Sequence, residues 1–282
     1  MAGPDVVVAP GAYDALSARM VEAAGFTAVY MTGFGTSASL LGRPDVGLTD
    51  MGEMVGNARR MAAAISVPLI ADADTGYGNA VNVVRTVQEY ERAGVAAIHL
   101  EDQVAPKRCG HVAGKQVVPV AEMVAKIRAA IAARRDPDLV IVARTDARAV
   151  EGLGRALERA AAYAEAGADA IFVEAPESEA EVAEVARSLA GVPLLFNWAE
   201  GGRTPAIGMD LLARLGYRIV IFPVGALLAA TGAIVSYLAE LRRAGTPERI
   251  LAQLTGFEEF LELIGLPEIR SLEQRFGTGA ED

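Results

Sequence analysis

Pro68-Leu-Ile-Ala-Asp72 and Ala96-Ala-Ile-His-Leu-Glu101 are short apolar runs that end on acids, and Asn79–Gly94 between them is an amphipathic stretch closing on glycine. An apolar run of this length reads as a strand covered on both faces, and a glycine just past a periodic stretch reads as a helix end. The unit recurs. Further runs are Val6–Ala9, Ala28–Thr32, Leu139–Thr145, Ala170–Glu174, Pro193–Asn197 and Arg218–Pro223, with helical stretches at Tyr13–Gly25, Val120–Arg134, Gly154–Gly167 and Glu179–Ala190. Eight parallel strands, most followed by a helix, predict an α/β chain of the (β/α)8 TIM barrel class. A doubly wound open sheet is the alternative. It would normally carry a Gly-rich phosphate turn after strand 1, and Pro10-Gly-Ala-Tyr13 is not one. The expected domains are a catalytic barrel over 1–244 and a C-terminal helical extension over 245–282. Phe257, Phe260, Leu261 and Ile264 give that extension an apolar face suited to a neighbouring subunit or its own barrel.

The composition narrows the function classes. The chain has 282 residues, 52% hydrophobic and 22% charged, which suits a soluble globular protein of one large or two ordinary domains. Thirty-six acids against 26 bases give a net charge of −10, with no basic stripe to neutralise phosphates, so nucleic acid is not an expected partner. No apolar run approaches a membrane span, no secretory pattern opens the chain, and one cysteine permits no internal disulfide, so the expected location is cytoplasmic.

Barrel enzymes keep their chemistry at the C-terminal ends of the strands. The strand ends here are Thr32-Gly-Phe-Gly35, Asp72-Ala-Asp74, Glu101-Asp102, Arg144-Thr-Asp146, Glu174 and Asn197. Asp72, Asp74 and Glu101 come from neighbouring strands, and residues two apart on a strand share a face, so the three are expected to converge. Clustered carboxylates either stay partly protonated or hold a cation. Oxygen-only donors favour Mg2+, with Mn2+ able to replace it, and Asp45 in a nearby turn is a candidate fourth carboxylate. Thr32, Gly33 and Phe34 offer backbone N–H groups on a turn that can cradle a substrate carboxylate, or form only a tight strand exit. Arg144 suits a carboxylate or oxyanion, an ion pair with Glu174 being the plainer reading. Glu174, Asn197 and Gly110 complete the candidate substrate contacts. His99 points into the barrel and reads as a hydrogen-bonded core histidine.

Lys107-Arg-Cys-Gly-His111 places the only cysteine beside two cations and one of two histidines in a turn-rich loop, 103–117. Positive neighbours lower a thiol's pKa. Cys109 is therefore a candidate catalytic group, with Lys107 and His111 as its expected electrostatic partners.

Seven segments together identify the chain as a member of the isocitrate lyase and phosphoenolpyruvate mutase superfamily. They are Tyr30-Met-Thr-Gly33; Gly35-Thr-Ser-Ala-Ser39 with Leu41-Gly-Arg-Pro-Asp45; Asp72-Ala-Asp-Thr-Gly-Tyr-Gly-Asn79; Glu101-Asp-Gln103; Lys107-Arg-Cys-Gly-His111; Ala143-Arg-Thr-Asp-Ala147; and Asn197-Trp-Ala-Glu-Gly-Gly-Arg-Thr-Pro205. The resemblance runs from about Pro10 to Gly245. It implies a Mg2+-dependent barrel acting on a small carboxylate, assembled as a homotetramer whose final helix is swapped between paired subunits. It also implies that Asp72 ligates the metal directly, while Asp45, Asp74 and Glu101 act through waters. Thr32, Gly33 and Phe34 then hold the carboxylate and Arg144 meets the developing oxyanion. In the superfamily's carbon–carbon lyases a loop thiol protonates the carbanion released by retro-aldol cleavage, so Cys109 points to that branch. Tyr30 matches the group that removes the substrate proton, and loop 103–117 is expected to close over the site. The tricarboxylate-cleaving members carry an arginine where this chain has Leu228, which favours a dicarboxylate such as a 2-alkylmalate or 2,3-dimethylmalate over 2-methylisocitrate. A carboxyphosphonoenolpyruvate-type phosphonomutase and an oxaloacetate hydrolase or decarboxylase share many of these motifs and are the rival readings, with a non-catalytic oxo-acid-binding protein as a third.

Overall fold

The computed structural model describes residues 6–110 and 114–277. Eight parallel strands, β1 (Val7–Ala12), β2 (Val29–Met31), β3 (Leu69–Asp72), β4 (Ala97–Glu101), β5 (Val140–Thr145), β6 (Ala170–Val173), β7 (Leu194–Asn197) and β8 (Tyr217–Phe222), close in sequence order into one barrel. Every expected strand is present. β1 is longer than its apolar run, because the chain continues extended through Pro10 and Gly11 to pair with β2 and β8. Proline cannot donate to a ladder and so reads as a strand stop. Here Pro10 lies opposite Phe222 at the closing seam, and Gly11 lies so close to the Pro223 carbonyl that a Cβ there would collide with it.

The helices of the barrel are α1 (Ala15–Ala23), α2 (Gly33–Leu41), α3 (Met51–Ala64), α4 (Ala80–Arg92), α5 (Val120–Ala133), the single turn α6 (Arg148–Glu151), α7 (Leu153–Glu165), α8 (Glu179–Ser188) and α9 (Met209–Leu215). Several starts follow from capping residues. Asp14, Asp50 and Asn79 each accept from the first turn and form reciprocal capping boxes, and Ser178 caps α8. The expected turn at Thr32–Gly35 is instead the start of α2. Thr32 is its N-cap, its Oγ1 accepting from Gly35 N at 3.2 Å.

Two-residue periodicity divides each strand between two cores. Val29, Met31, Leu69, Ala71, Ile98, Leu100, Ile141, Ala143, Ile171, Leu194 and Val220 face the helices. Ala9, Ala28, Tyr30, Ile70, Ala97, Val142, Ala170, Phe172, Leu195, Ile219 and Ile221 fill the barrel. Continuing the inward set along each strand reaches Asp72, His99, Glu101, Arg144, Glu174 and Asn197, so the same alternation that builds the core delivers the polar residues to the upper interior. Asp102 takes the opposite face. Its carboxylate accepts from Thr145 Oγ1 (2.8 Å), Asp146 N (2.9 Å) and Tyr163 Oη on α7 (2.8 Å), with Arg159 Nη1 at 3.5 Å. Arg159 also donates to the Val118 carbonyl and grips Glu151 with two nitrogens. This buried group ties the ends of β4 and β5 to α7.

The chain separates into two compact units, Met1–Leu227 and Leu228–Asp282. The expected boundary at 244/245 lies later in the chain than this division, which falls inside the 20-residue helix α10 (Gly225–Ala244); that helix buries none of its residues. It groups with the short 3-10 segment Glu248–Gln253 and with α11 (Phe257–Leu263) and α12 (Leu266–Phe276). Among the described residues no helix is long and apolar enough to cross a membrane.

Asp102→Ala strips the buried cation and hydroxyls of their acceptor and is expected to destabilise the fold by about 3 kcal/mol, against about 1 kcal/mol for Tyr163→Phe. Urea unfolding measures both. A variant at position 102 as stable as wild type would show that this network does not hold β4 and β5 to α7.

Candidate active site

Four carboxylates meet one ammonium at the top of β3 and β4. Lys107 Nζ, brought in by loop 103–117, lies 2.6 Å from Asp45 Oδ2 and 2.8 Å from Asp74 Oδ1, the second contact being an ion pair without hydrogen-bond geometry. Asp72 ends β3. Asp74 does not share its face through strand alternation as expected, because β3 stops and Asp74 turns into the left-handed region at φ 47. Its N–H then donates to Asp72 Oδ1 at 2.9 Å, which folds the two acids together. Glu101 ends β4, buried, with Oε1 lacking a hydrogen-bond partner. Burial pushes Asp74 up to about 7 despite Lys107 and pushes Glu101 well above the carboxylate range despite Arg144 and Lys107. Burial also disfavours the Lys107 ammonium, but Asp74, Asp72, Glu101 and Asp45 outweigh it and hold the lysine protonated. Lys107 is thus held by the acid cluster, through Asp45 and Asp74.

Across the mouth, Arg144 Nε and Nη2 donate to Asp146 at 2.9 and 3.1 Å, Nε also lies 3.3 Å from Glu101 Oε2, and the guanidinium rests over the Phe172 ring at 5.0 Å. Burial raises Asp146, but Arg144 and Lys115 reverse this and hold it well below the usual carboxylate range. Asn197 Nδ2 donates to both oxygens of Glu174, at 3.3 and 3.2 Å, leaving its own Oδ1 buried without a partner. Gly110 lies against this pair. A Cβ there would overlap Glu174 Oε1 and Arg144 Nη2. The loop is thus seated on the rim, with Cys109 half-buried and its N–H bonded to the Asp45 carbonyl at 3.1 Å. Gln103 holds both the N–H and the carbonyl of Arg108, and Gln103 pairs with Val117 where the two arms of the loop meet.

Beneath the acids, Tyr30 Oη and His99 Nε2 are 2.8 Å apart, and that nitrogen lies 3.6 Å from Asp72 Oδ1. Burial lowers His99 to about 4, so it is neutral at pH 7, and burial with Asp72 raises Tyr30 well above its ordinary value. Tyr30 holds its proton in this arrangement. The first turn of α2 leaves the N–H groups of Gly33 and Phe34 without intrahelical acceptors. Gly33 is against Asp72, where a Cβ would collide with Oδ2.

The chain as a whole is similar to known proteins. A family model described as phosphoenolpyruvate phosphomutase matches residues 1–242. The 2,3-dimethylmalate lyase of Eubacterium barkeri is 52% identical over 97% of this chain and 94% of that protein. The chain belongs to the isocitrate lyase and phosphoenolpyruvate mutase superfamily. The 2-methylisocitrate lyase of Aeropyrum pernix is 46% identical over 99% of this chain and 89% of that protein. A crystal structure of a 2,3-dimethylmalate lyase superposes with TM-score 0.93 at 42% identity, covering 99% of this chain and 95% of the other. A phosphonopyruvate hydrolase solved with oxalate and Mg2+ superposes with TM-score 0.88 at 37% identity over 97% and 95%. The chain is therefore an enzyme of a superfamily whose named relatives include carbon–carbon lyases and mutases.

The site suits the divalent cation that this superfamily relative carries. Six acids (Asp45, Asp72, Asp74, Glu101, Asp146 and Glu174) face three cations (Lys107, Lys115 and Arg144), and two of the acids are forced toward the neutral form. Hard oxygen donors with an orphan at Glu101 Oε1 match Mg2+. Among the described residues no group of three or more His, Cys, Asp or Glu side chains is placed to hold a metal directly. His111 lies outside the described residues. Trp198 stacks on Phe222 at 5.5 Å and donates to the Ile207 carbonyl, a packing role. Sequence reasoning passed over Lys115 and Asp146 as site residues, because a lysine in a loop and an acid at a strand end look like ordinary surface.

Gly110→Ala should leave the melting temperature within about 2 °C of wild type while lowering kcat/KM about a hundredfold, since a displacement near 1 Å at the rim is enough for that loss. Undiminished turnover would show that the seated loop is not the working state.

Proposed function

We propose that the enzyme is a Mg2+-dependent lyase that splits a 2-hydroxy dicarboxylate of the 2,3-dimethylmalate or 2-alkylmalate type into an α-oxo acid and a second carboxylate. The observation that carries this reading is the loop that sets Cys109 at the rim, its N–H on the Asp45 carbonyl and the adjacent Gly110 against Glu174 and Arg144. The 52% identity to a 2,3-dimethylmalate lyase supports it. Leu228 in place of a third carboxylate's arginine supports a dicarboxylate, and 2-methylisocitrate is the second substrate to try because of the 46% relative.

The chain's own groups divide the work. Gly33 and Phe34 N–H groups and the Thr32 cap offer donors to the substrate carboxylate, and Arg144, oriented by Asp146, meets the oxygen on which charge grows. Asp72, with Asp45, Asp74 and Glu101 behind waters, would hold Mg2+, which supplies positive charge and acidifies the substrate hydroxyl. Tyr30 Oη takes the hydroxyl proton as it passes its own to the neutral His99 Nε2, 2.8 Å away. The C2–C3 bond breaks, C2 becomes the oxo carbon, the electron pair stays on C3, and the Cys109 thiol protonates it. The seated loop keeps bulk water from that carbanion. The alternative, a phosphonomutase, forms a carbon–phosphorus bond and needs no such proton.

Oxo-acid release from 2,3-dimethylmalate, 2-alkylmalates, 2-methylisocitrate and isocitrate tests the proposal. Turnover is expected on a dicarboxylate, is abolished by EDTA, and falls by at least about a hundredfold in Cys109→Ala, the scale of a general-acid contribution. No release from any substrate would sink the lyase reading and turn attention to phosphonates and oxaloacetate.

We further propose a cytoplasmic homotetramer with exchanged C-terminal helices. Exposed Leu228, Ile234, Val235 and Leu238 on α10, with Phe257, Ile269 and Phe276 beyond it, support burial against another copy. Sedimentation equilibrium should give four chains for the full protein and a smaller assembly after truncation at Gly245. A monomer at micromolar concentration would overturn this.

A further inference from the structure

Lys115 has no part in the chemistry above, yet it is only 9% exposed. Lysine heads rarely leave water, and one that does so without a function is disfavoured by the loss of its hydration. Its ammonium has two acceptors. It donates to the carbonyl of Gly110 on its own loop and to Asp146 Oδ1 on the barrel at 2.8 Å. Asp146 does not need this cation for its own sake. It already receives two hydrogen bonds from Arg144, and its N–H is fixed by Asp102. The Gly110 carbonyl gains more, because the ammonium ties it to a carboxylate that is itself rigid.

From this geometry we infer that Lys115 is a positioning residue, a latch that holds the Cys109–Gly110 segment onto Asp146 when the loop is seated. The two arms of the loop are then fixed by different cations. Lys107 anchors the first arm in the acid cluster, and Lys115 reaches back from the second arm to grip the segment between. Asp146 couples the latch to Arg144, so the residue that meets the substrate's developing charge and the residue that holds the thiol's loop share one carboxylate. A merely structural lysine would leave the mobility of Cys109 unaffected. The use made of Cys109 rests on the lyase reading, but the latch itself does not.

The test is the rate at which iodoacetamide alkylates the single cysteine of the intact protein, followed by mass spectrometry, beside steady-state kinetics. Lys115→Met should raise the alkylation rate about tenfold and lower kcat about tenfold with KM changed less than about threefold, because delivery of the thiol rather than binding is lost. Lys115→Arg should return both toward wild type. An alkylation rate within about twofold of wild type in Lys115→Met overturns the inference. Should that variant fail to fold, Lys115→Gln, which keeps one donor, carries the test. There a rise above about threefold supports the latch and an unchanged rate overturns it. Alkylation does not depend on which substrate is cleaved, so failure of the latch and failure of the lyase reading are separately visible.

Discussion

Asp45, Asp72, Asp74 and Glu101 are buried around the Lys107 ammonium, and that burial of like charges is the constraint on which the upper barrel depends. Two like charges about 4 Å apart repel by about 4 kcal/mol at the effective permittivity of a protein. Burial moves Asp74 and Glu101 toward the neutral form, the neighbouring acids add to it, and Lys107 opposes it without reversing it. The ammonium arrives on a loop, not on a strand, so the charge of the cluster depends on where that loop sits.

The barrel supports this arrangement by separating two kinds of polar residue on adjacent positions. Glu101 faces inward to the chemistry, and Asp102, its neighbour, faces outward to Thr145, Tyr163 and Arg159. Arg144 and Asp146 repeat the division within three residues, one meeting the mouth and the other binding the first to the scaffold. Rigidity and reactivity are thereby built from the same strand ends.

Much of this was legible in the sequence, for reasons that differ by element. The eight strands were readable because short apolar runs separated by amphipathic stretches are a local signal, and extending the inward set along each strand reaches Asp72, Glu101, Arg144, Glu174 and Asn197. Thr32–Gly35 read as a turn because glycines usually mark turns, whereas Gly33 is needed for its closeness to Asp72 and the segment is helical. Asp74 reaches the cluster through a left-handed backbone, which no periodicity announces. The direction of the Lys107 head and the Lys115–Asp146 pairing depend on contacts between distant segments, and sequence neighbours suggested a different partner for Lys107.

The seam of the barrel carries a consequence for how the chain acquires its structure. β1 pairs with β8, and the close approach of Gly11 to the Pro223 carbonyl is part of that junction. The first strand must therefore wait for nearly the last segment of the barrel before its second edge is satisfied. Contacts of such long sequence separation slow folding and leave an unpaired edge on the ribosome-bound chain. During synthesis the proline at position 10 becomes useful in a way unrelated to the finished fold: a strand edge interrupted by a residue without an N–H is a poor template for another nascent chain.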